Sequence, residues 1–431
     1  MAKKNLEENV SELLSNSVTF NPLMNALREN DKKNLFKSNV VTYFHKTGYP
    51  LFDYYFGSVV NVHNDLGEII KQEPMIGQAS GSFNLVLAQS GAGKTTAVVQ
   101  ISANIIRPYK SATIHHYDCE QRFDVSRGEN ISRLPISDFD DGGRYILKSG
   151  MVTLDTMQEA ITDLYAKKMR MRDEITINTG RVNEFGKEIQ VLEPTVIIVD
   201  SITTVLSESF SFNDTKELAK AGELRKNTEG ARDAKTLKGF LKDVIPLCKE
   251  ANIIIYAINH INGNMSMNVF TGPTKQQNFM KQDEAIPGGK TLIFSSFNIV
   301  KMIAKTSDDF TEETDGFNGF VVTFEPVKSS SNQSGNTSKG VSFEMVFSYK
   351  DGFDSLRSLI LYAREKGIIE GNKPRMKFKE DPSFTFSFKN IHEEKKEKPI
   401  WDCIKKYIIP ELESHLSFVE PNKFDDRQLD Y

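Results

Sequence analysis

The stretch "LVLAQSGAGKTTAVVQ" (85–100) runs from apolar residues through a patch of small ones and restarts with helical character. A strand, a tight loop and a helix start in that order turn successive backbone N–H groups and the positive end of a helix toward phosphate. Residues 88–95, "AQSGAGKT", fit the Walker A pattern, with Ala88 where the first glycine usually stands. A small residue there still permits the turn. The expected cradle comprises Ala88, Gln89, Ser90, Gly91, Ala92, Gly93, Lys94, Thr95 and Thr96. Lys94 is placed to reach the β- and γ-phosphates, and the Thr95 hydroxyl to complete a Mg²⁺ shell. The plainer alternative is a Gly-rich turn with a chance lysine; the flanking strand and helix argue against it.

Phosphoryl transfer also needs carboxylates. Asp200 ends the apolar run "TVIIVD" (195–200), as a Walker B acid does, and joins Thr95 as the expected metal-binding pair. An acid at the carboxyl end of a buried parallel strand lies where open α/β sheets bind ligands. Ser201, not a second acid, follows it, so another group must orient the attacking water. Glu120 in "YDCEQRFD", just past the next strand-like run, answers that need, although a solvated loop acid is the bland reading of it.

Elements that hold such groups are legible along the chain. Apolar, β-rich runs recur at 111–118, 195–200, 252–259, 297–304, 320–327 and 341–348, with helical patterns at 234–250 and 354–367 between several of them. This alternation predicts an α/β fold with a mostly parallel central sheet and an antiparallel extension. Residues 1–40 read as a helical arm and connector, 41–371 as the core, and 372–431 as a small C-terminal helical appendage whose helix ends near Pro410. Polar stretches at 170–193, 262–290 and 328–340 interrupt the pattern, the first as an insertion.

The bulk numbers narrow the class. A net charge of −4 leaves no global basic footprint, so nucleic-acid contacts must come from local loops. No apolar run approaches the roughly 18 residues of a membrane span, and the start, "MAKKNLEENVSELL", carries no apolar signal core. Three dispersed cysteines suggest a reducing cytosol. Cys248 shares helical spacing with Leu237, Phe240, Leu241 and Val244 and reads as core; adjacent His115 and His116 point to opposite faces of a strand, which disfavours a shared metal.

The succession "TGYPLFDYYFG" (47–57), "AQSGAGKTT", "YDCEQRFD", "IIVDSITTV", "IYAINHI" and "IPGGKTLIFSSFNIVKMI" resembles, in order and character, the RecA family of recombinases over roughly residues 40–370. The Asn259-His260 pair is similar to the UvsX branch of that family in tailed phages. The resemblance implies a RecA-like P-loop ATPase core in which Glu120 polarises water and His260 senses the γ-phosphate. It implies adenine contacts from Asp124 and Arg127, the latter replacing the usual Tyr, and a lysine acting across a subunit boundary, for which Lys328 is the match. The second DNA-binding loop of the family falls on 262–290, with Phe270, Lys275, Phe279, Lys281, Gly288, Gly289 and Lys290 as candidate DNA contacts, and the first falls on 207–227. Cations interleaved with aromatic residues suit single strands.

The function so implied is ATP- and Mg²⁺-dependent assembly of helical homo-oligomeric filaments on single-stranded DNA, followed by homologous pairing with double-stranded DNA and strand exchange. Leu6, Val10, Leu13, Leu14 and Phe20 of the arm would dock on the next subunit. A single-strand-binding protein and a loader are partners that the family implies, no membrane is involved, and the expected location is the cytoplasm, on DNA, in the host cell if the source is viral. A ring-forming helicase of the DnaB type is the alternative enzyme, although the N-terminal region is short for it. A loader that turns ATP over poorly is the non-enzymatic alternative, but it would be expected to lack Lys94 or Glu120.

Overall fold

A computed structural model describes residues 43–137, 143–183, 186–205, 229–263, 279–281, 284–287, 289–330 and 341–416. The expected N-terminal arm, the 207–227 segment and the tail beyond 416 lie outside the described residues.

In chain order the core opens with β1 (Phe44–His45), α1 (Pro50–Tyr55), β2 (Ser58–His63), β3 (Ile69–Met75) and β4 (Gln78–Ala79). The phosphate-loop strand β5 (Phe83–Ala88), α2 (Lys94–Ile106) and β6 (Thr113–Asp118) follow, then α3 (Val125–Ser132), β7 (Ile136–Ser137), β8 (Tyr145–Ser149) and α4 (Leu154–Arg170). Next come β9 (Thr176–Val182), β10 (Glu188–Leu192), β11 (Thr195–Asp200), α5 (Glu229–Ala251), β12 (Ile253–His260), β13 (Asn262–Gly263), β14 (Glu284–Ala285) and α6 (Gly289–Ser295). The last part of the core holds β15 (Asn298–Phe310), β16 (Gly319–Ser329), β17 (Phe343–Ser348), β18 (Gly352–Asp354) and α7 (Ser355–Glu365).

The large mixed sheet has the strand order β18-β17-β16-β15-β5-β12-β11-β6-β8-β7. From β15 to β7 each neighbouring pair is parallel, and from β15 outward to β18 each is antiparallel. The architecture is thus mixed α/β with a parallel centre and an antiparallel edge. Both faces of the centre are covered, which is why β5, β11 and β12 read as unbroken apolar runs. Alternate residues of β5 serve opposite layers: Val86 and Ala88 join the cluster around α2, whereas Leu85 and Leu87 join the one containing Leu237, Phe240, Val244 and Cys248 of α5.

Two features depart from a bare alternation of strands and helices. The 170–193 stretch folds as the hairpin β9–β10, and the stretch before the phosphate loop folds as the hairpin β2–β3; together they form a second, antiparallel sheet of order β10-β9-β2-β3. The C-terminal region begins with a three-stranded sheet of β19 (Ile369–Asn372), β20 (Arg375–Phe378) and β21 (Asp381–Phe386). Its helix α8 (Glu394–Cys403) widens into a π-helical turn at Ile404–Ile408 and continues over Ile409–Glu413, so the helical run ends three residues beyond Pro410. Met376, Phe386, Ile400, Ile408 and Leu416 share an apolar cluster with α1 and α7, so this region packs as part of the core.

Candidate active site

The chain leaves β5 at Ala88 and re-enters a helix at Lys94, and the turn between depends on backbone that glycine adopts freely. Gly91 has φ +82° and Gly93, the residue before α2, has φ +79°. Space as well as angle selects Gly93: a Cβ there would lie 3.0 Å from the Phe347 ring. Gln89, Ser90 and Gly91 are exposed, whereas Ala88, Ala92, Lys94 and Thr96 are buried. The Lys94 ammonium donates to the carbonyl oxygens of Ala88 (3.2 Å) and Gln89 (2.9 Å). Burial pulls the Lys94 pKa below its ordinary value, and the negative charges of Asp200 and Glu120 oppose the shift. A cation held among loop carbonyls is poised to exchange them for an anion of the same reach.

Parallel register brings the acids to this place. Asp200 ends β11 level with Asp118 at the end of β6, and the N–H groups of Cys119 and Glu120 donate to the Asp200 carbonyl at 2.7 and 3.3 Å. The Thr95 hydroxyl donates to Asp200 Oδ2 at 2.5 Å, which joins the phosphate loop to the neighbouring strand end. Burial raises the Asp200 pKa above the ordinary carboxylate range; the Thr95 hydrogen bond opposes this, and the charges of Glu120 and Asp118 add to it. Crowded carboxylates beside a hydroxyl are a donor set that a Mg²⁺ ion suits, since that ion takes one or two protein oxygens and completes its shell with water and phosphate. Thr95 and Asp200 fit that role.

Glu120 stands apart from this pair in both state and partner. Its Oε1 accepts from His260 Nε2 at 2.9 Å, with both side chains about a quarter exposed (26% and 29%). Burial pushes the Glu120 pKa up, but hydrogen bonds from His260 and Ser201 outweigh it and hold the carboxyl below its ordinary range. An ionised, partly solvated carboxylate is the form a general base requires. His260 ends β12 in register with Ala88, and Asn259 beside it is fully buried. Asn259 Oδ1 accepts from the Thr203 hydroxyl and from the His260 N–H, and Asn259 Nδ2 donates to the Pro287 carbonyl at 2.9 Å.

The remaining candidates are more scattered. Asp124 caps α3, accepting from the Arg127 N–H at 3.1 Å. The Arg127 guanidinium donates to the Tyr349 carbonyl and lies 6.0 Å from the Phe347 ring centre. Lys328 turns to α6, donating to the carbonyls of Ile293 (3.1 Å) and Phe294 (2.9 Å), and so faces a helix C-terminus in its own chain. Phe279 packs against the α5-side apolar cluster, while Lys281 and Lys290 are exposed, and Gly289 opens α6. Phe270, Lys275 and Gly288 lie outside the described residues.

The sequence reading missed the brace on the other side of the loop. The turn between β17 and β18 holds α2 through Gln100, which donates to the Asp351 carbonyl (3.0 Å) and accepts from the Phe353 N–H (2.8 Å). Tyr349, 56% exposed, accepts from Arg127 at its carbonyl and sets its ring 6.0 Å from that of Phe347. Its only sequence signal is the turn-like "YKDG". Neither a scan of protein-family models nor a search of curated proteins returns a match to this chain.

Proposed function

We propose that this chain is an ATP-dependent DNA recombinase with a RecA-like P-loop core, of the UvsX type, which polymerises on single-stranded DNA and exchanges strands. The observation that carries the proposal is convergence: Lys94, Thr95, Asp200, Glu120 and His260 come from four separate strand ends and meet on one rim of the sheet. In this reading Lys94 leaves the loop carbonyls to meet the β- and γ-phosphates. Glu120 takes the proton of a water that attacks the γ-phosphorus as the bond to the β-phosphate oxygen breaks. A divalent cation, when bound by Thr95 and Asp200, supplies charge neutralisation on the phosphates. In the same reading Arg127 and the Tyr349 ring flank the base, since guanidinium and aromatic planes both stack.

His260 gives the reading its regulatory part. Its ring touches the proposed base, while its backbone runs on to β13 and the segment matched to a DNA loop. A γ-phosphate competing for Glu120 or His260 would alter that contact, and nucleotide would then shift DNA affinity through differential contacts. The test is ATP hydrolysis with and without single-stranded DNA. Wild-type protein should hydrolyse ATP faster on DNA. Glu120→Gln should retain ATP binding and lose about 10²- to 10⁴-fold in turnover; unaltered turnover removes Glu120 as the base.

A further inference from the structure

Resting on the reading above, a second buried contact bears on how the nucleotide site reaches the proposed DNA-binding segment. Both ends of the chain between β13 and β14 return to one place, where Asn262 pairs with Ala285 and Gly263 with Glu284. The Glu284 carboxylate, in a residue only 7% exposed, meets the Lys301 ammonium at 2.9 and 3.1 Å. Lys301 is itself 4% exposed and lies within β15, in register with Leu87 of β5. Leu87 is in turn level with Asn259 of β12, whose amide holds the Pro287 carbonyl. One row across three strands therefore grips the returning chain at two points, Glu284 and Pro287, a single residue from Ala88, whose carbonyl holds Lys94.

An ion pair is a poor choice for stability alone at such a spot. Apolar residues of similar volume pack as well or better in a dry interior, and the best-attested use of a buried charge pair is to fix register. Glu284 also accepts from the Lys281 N–H at 2.9 Å. Met280 and Ile286, on either side of Glu284, are buried in the α5-side apolar cluster and supply the bulk packing. The charge pair adds direction to that packing.

We infer that Glu284 and Lys301 are a positioning pair that locks the stem after His260 to the phosphate-loop end of the sheet, and that nucleotide-dependent DNA affinity requires it. Neither residue touches nucleotide or DNA in this assignment. They act by holding the stem in one register, so that a change at His260 moves the stem as a unit.

The experiment measures the affinity of the full chain for a labelled oligothymidylate with ADP and with a slowly hydrolysed ATP analogue. Glu284→Gln and Lys301→Met should each cut the ratio of the two affinities by roughly tenfold or more, with analogue affinity close to wild type. Lys301→Arg, or the exchanged pair Glu284→Lys with Lys301→Glu, should recover part of the ratio. Amide exchange at 262–263 and 284–286 should quicken in the single variants, whether or not DNA is present. Single variants with an unchanged ratio and unchanged exchange overturn the inference, as does a parallel loss of analogue affinity, which marks a general folding role. If wild type shows no nucleotide effect on DNA at all, the recombinase reading fails instead, and the exchange experiment alone judges the anchor.

Discussion

Lys94 illustrates how one side chain carries two assignments. Its ammonium satisfies loop carbonyls, and the geometry that allows this also puts it within the fields of Asp200 and Glu120. Replacement by alanine should leave the strand and helix in place, because α2 is otherwise held by Thr96, Val98, Val99 and Ile105 in its buried layer. On the proposed reading Lys94→Ala should nevertheless weaken nucleotide binding at least tenfold, since the alanine has no charge to offer phosphate. Equilibrium binding of a fluorescent ATP analogue, with thermal melting as the control for folding, checks this. At this scale the sequence was most readable. Small residues, a lysine and strand-end acids announce themselves by type and spacing; the Thr95 hydroxyl donates to Asp200, and Lys94 feels the charge of the same carboxylate. Phe347, Tyr349 and Gln100 did not announce themselves, because their contacts join segments some 250 residues apart and nothing local marks either side.

At the scale of elements, "TGYPLFDYYFG" shows what a motif can do without touching the chemistry. Asp53 of α1 accepts from both the N–H (2.9 Å) and the hydroxyl (2.6 Å) of Thr47 and is 4% exposed. Burial raises its pKa to about 7, and the Thr47 hydrogen bonds only partly offset this. The native state therefore binds this proton more tightly than the unfolded chain, so the stability it lends is complete below the unfolded value of 3.8 and is lost as pH rises toward 7. His45, His115 and His116 act in the opposite sense. Burial lowers each to about 4, so their contribution is present above 6.5 and is lost as pH falls. Asp53→Asn keeps an oxygen for Thr47 and removes the titration. Its stability relative to wild type should increase between pH 4 and 7 and level off above, by a few kcal/mol at about 1.4 kcal/mol per pKa unit. Denaturant unfolding at several pH values measures the difference, and a pH-independent difference would deny Asp53 that role. The strands of the central sheet were legible because burial on both faces demands continuous apolar runs. The β2–β3 and β9–β10 hairpins were not, because β3 and β9 are exposed or half-buried along their length and the two hairpins pair at His63 with Val182.

On the scale of the whole molecule, the sheet gathers five side chains at one rim. On the proposed reading a neighbouring copy contributes to each nucleotide site, which makes the contact heterologous. Repetition of such a contact without closure yields a helix, and with closure a ring. Electron microscopy of Glu120→Gln with ATP, Mg²⁺ and circular single-stranded DNA separates these outcomes, since arrested hydrolysis keeps the ATP-bound assembly intact. Continuous helical filaments along the DNA, absent without ATP, are the predicted result; closed rings, or DNA left bare, would contradict it.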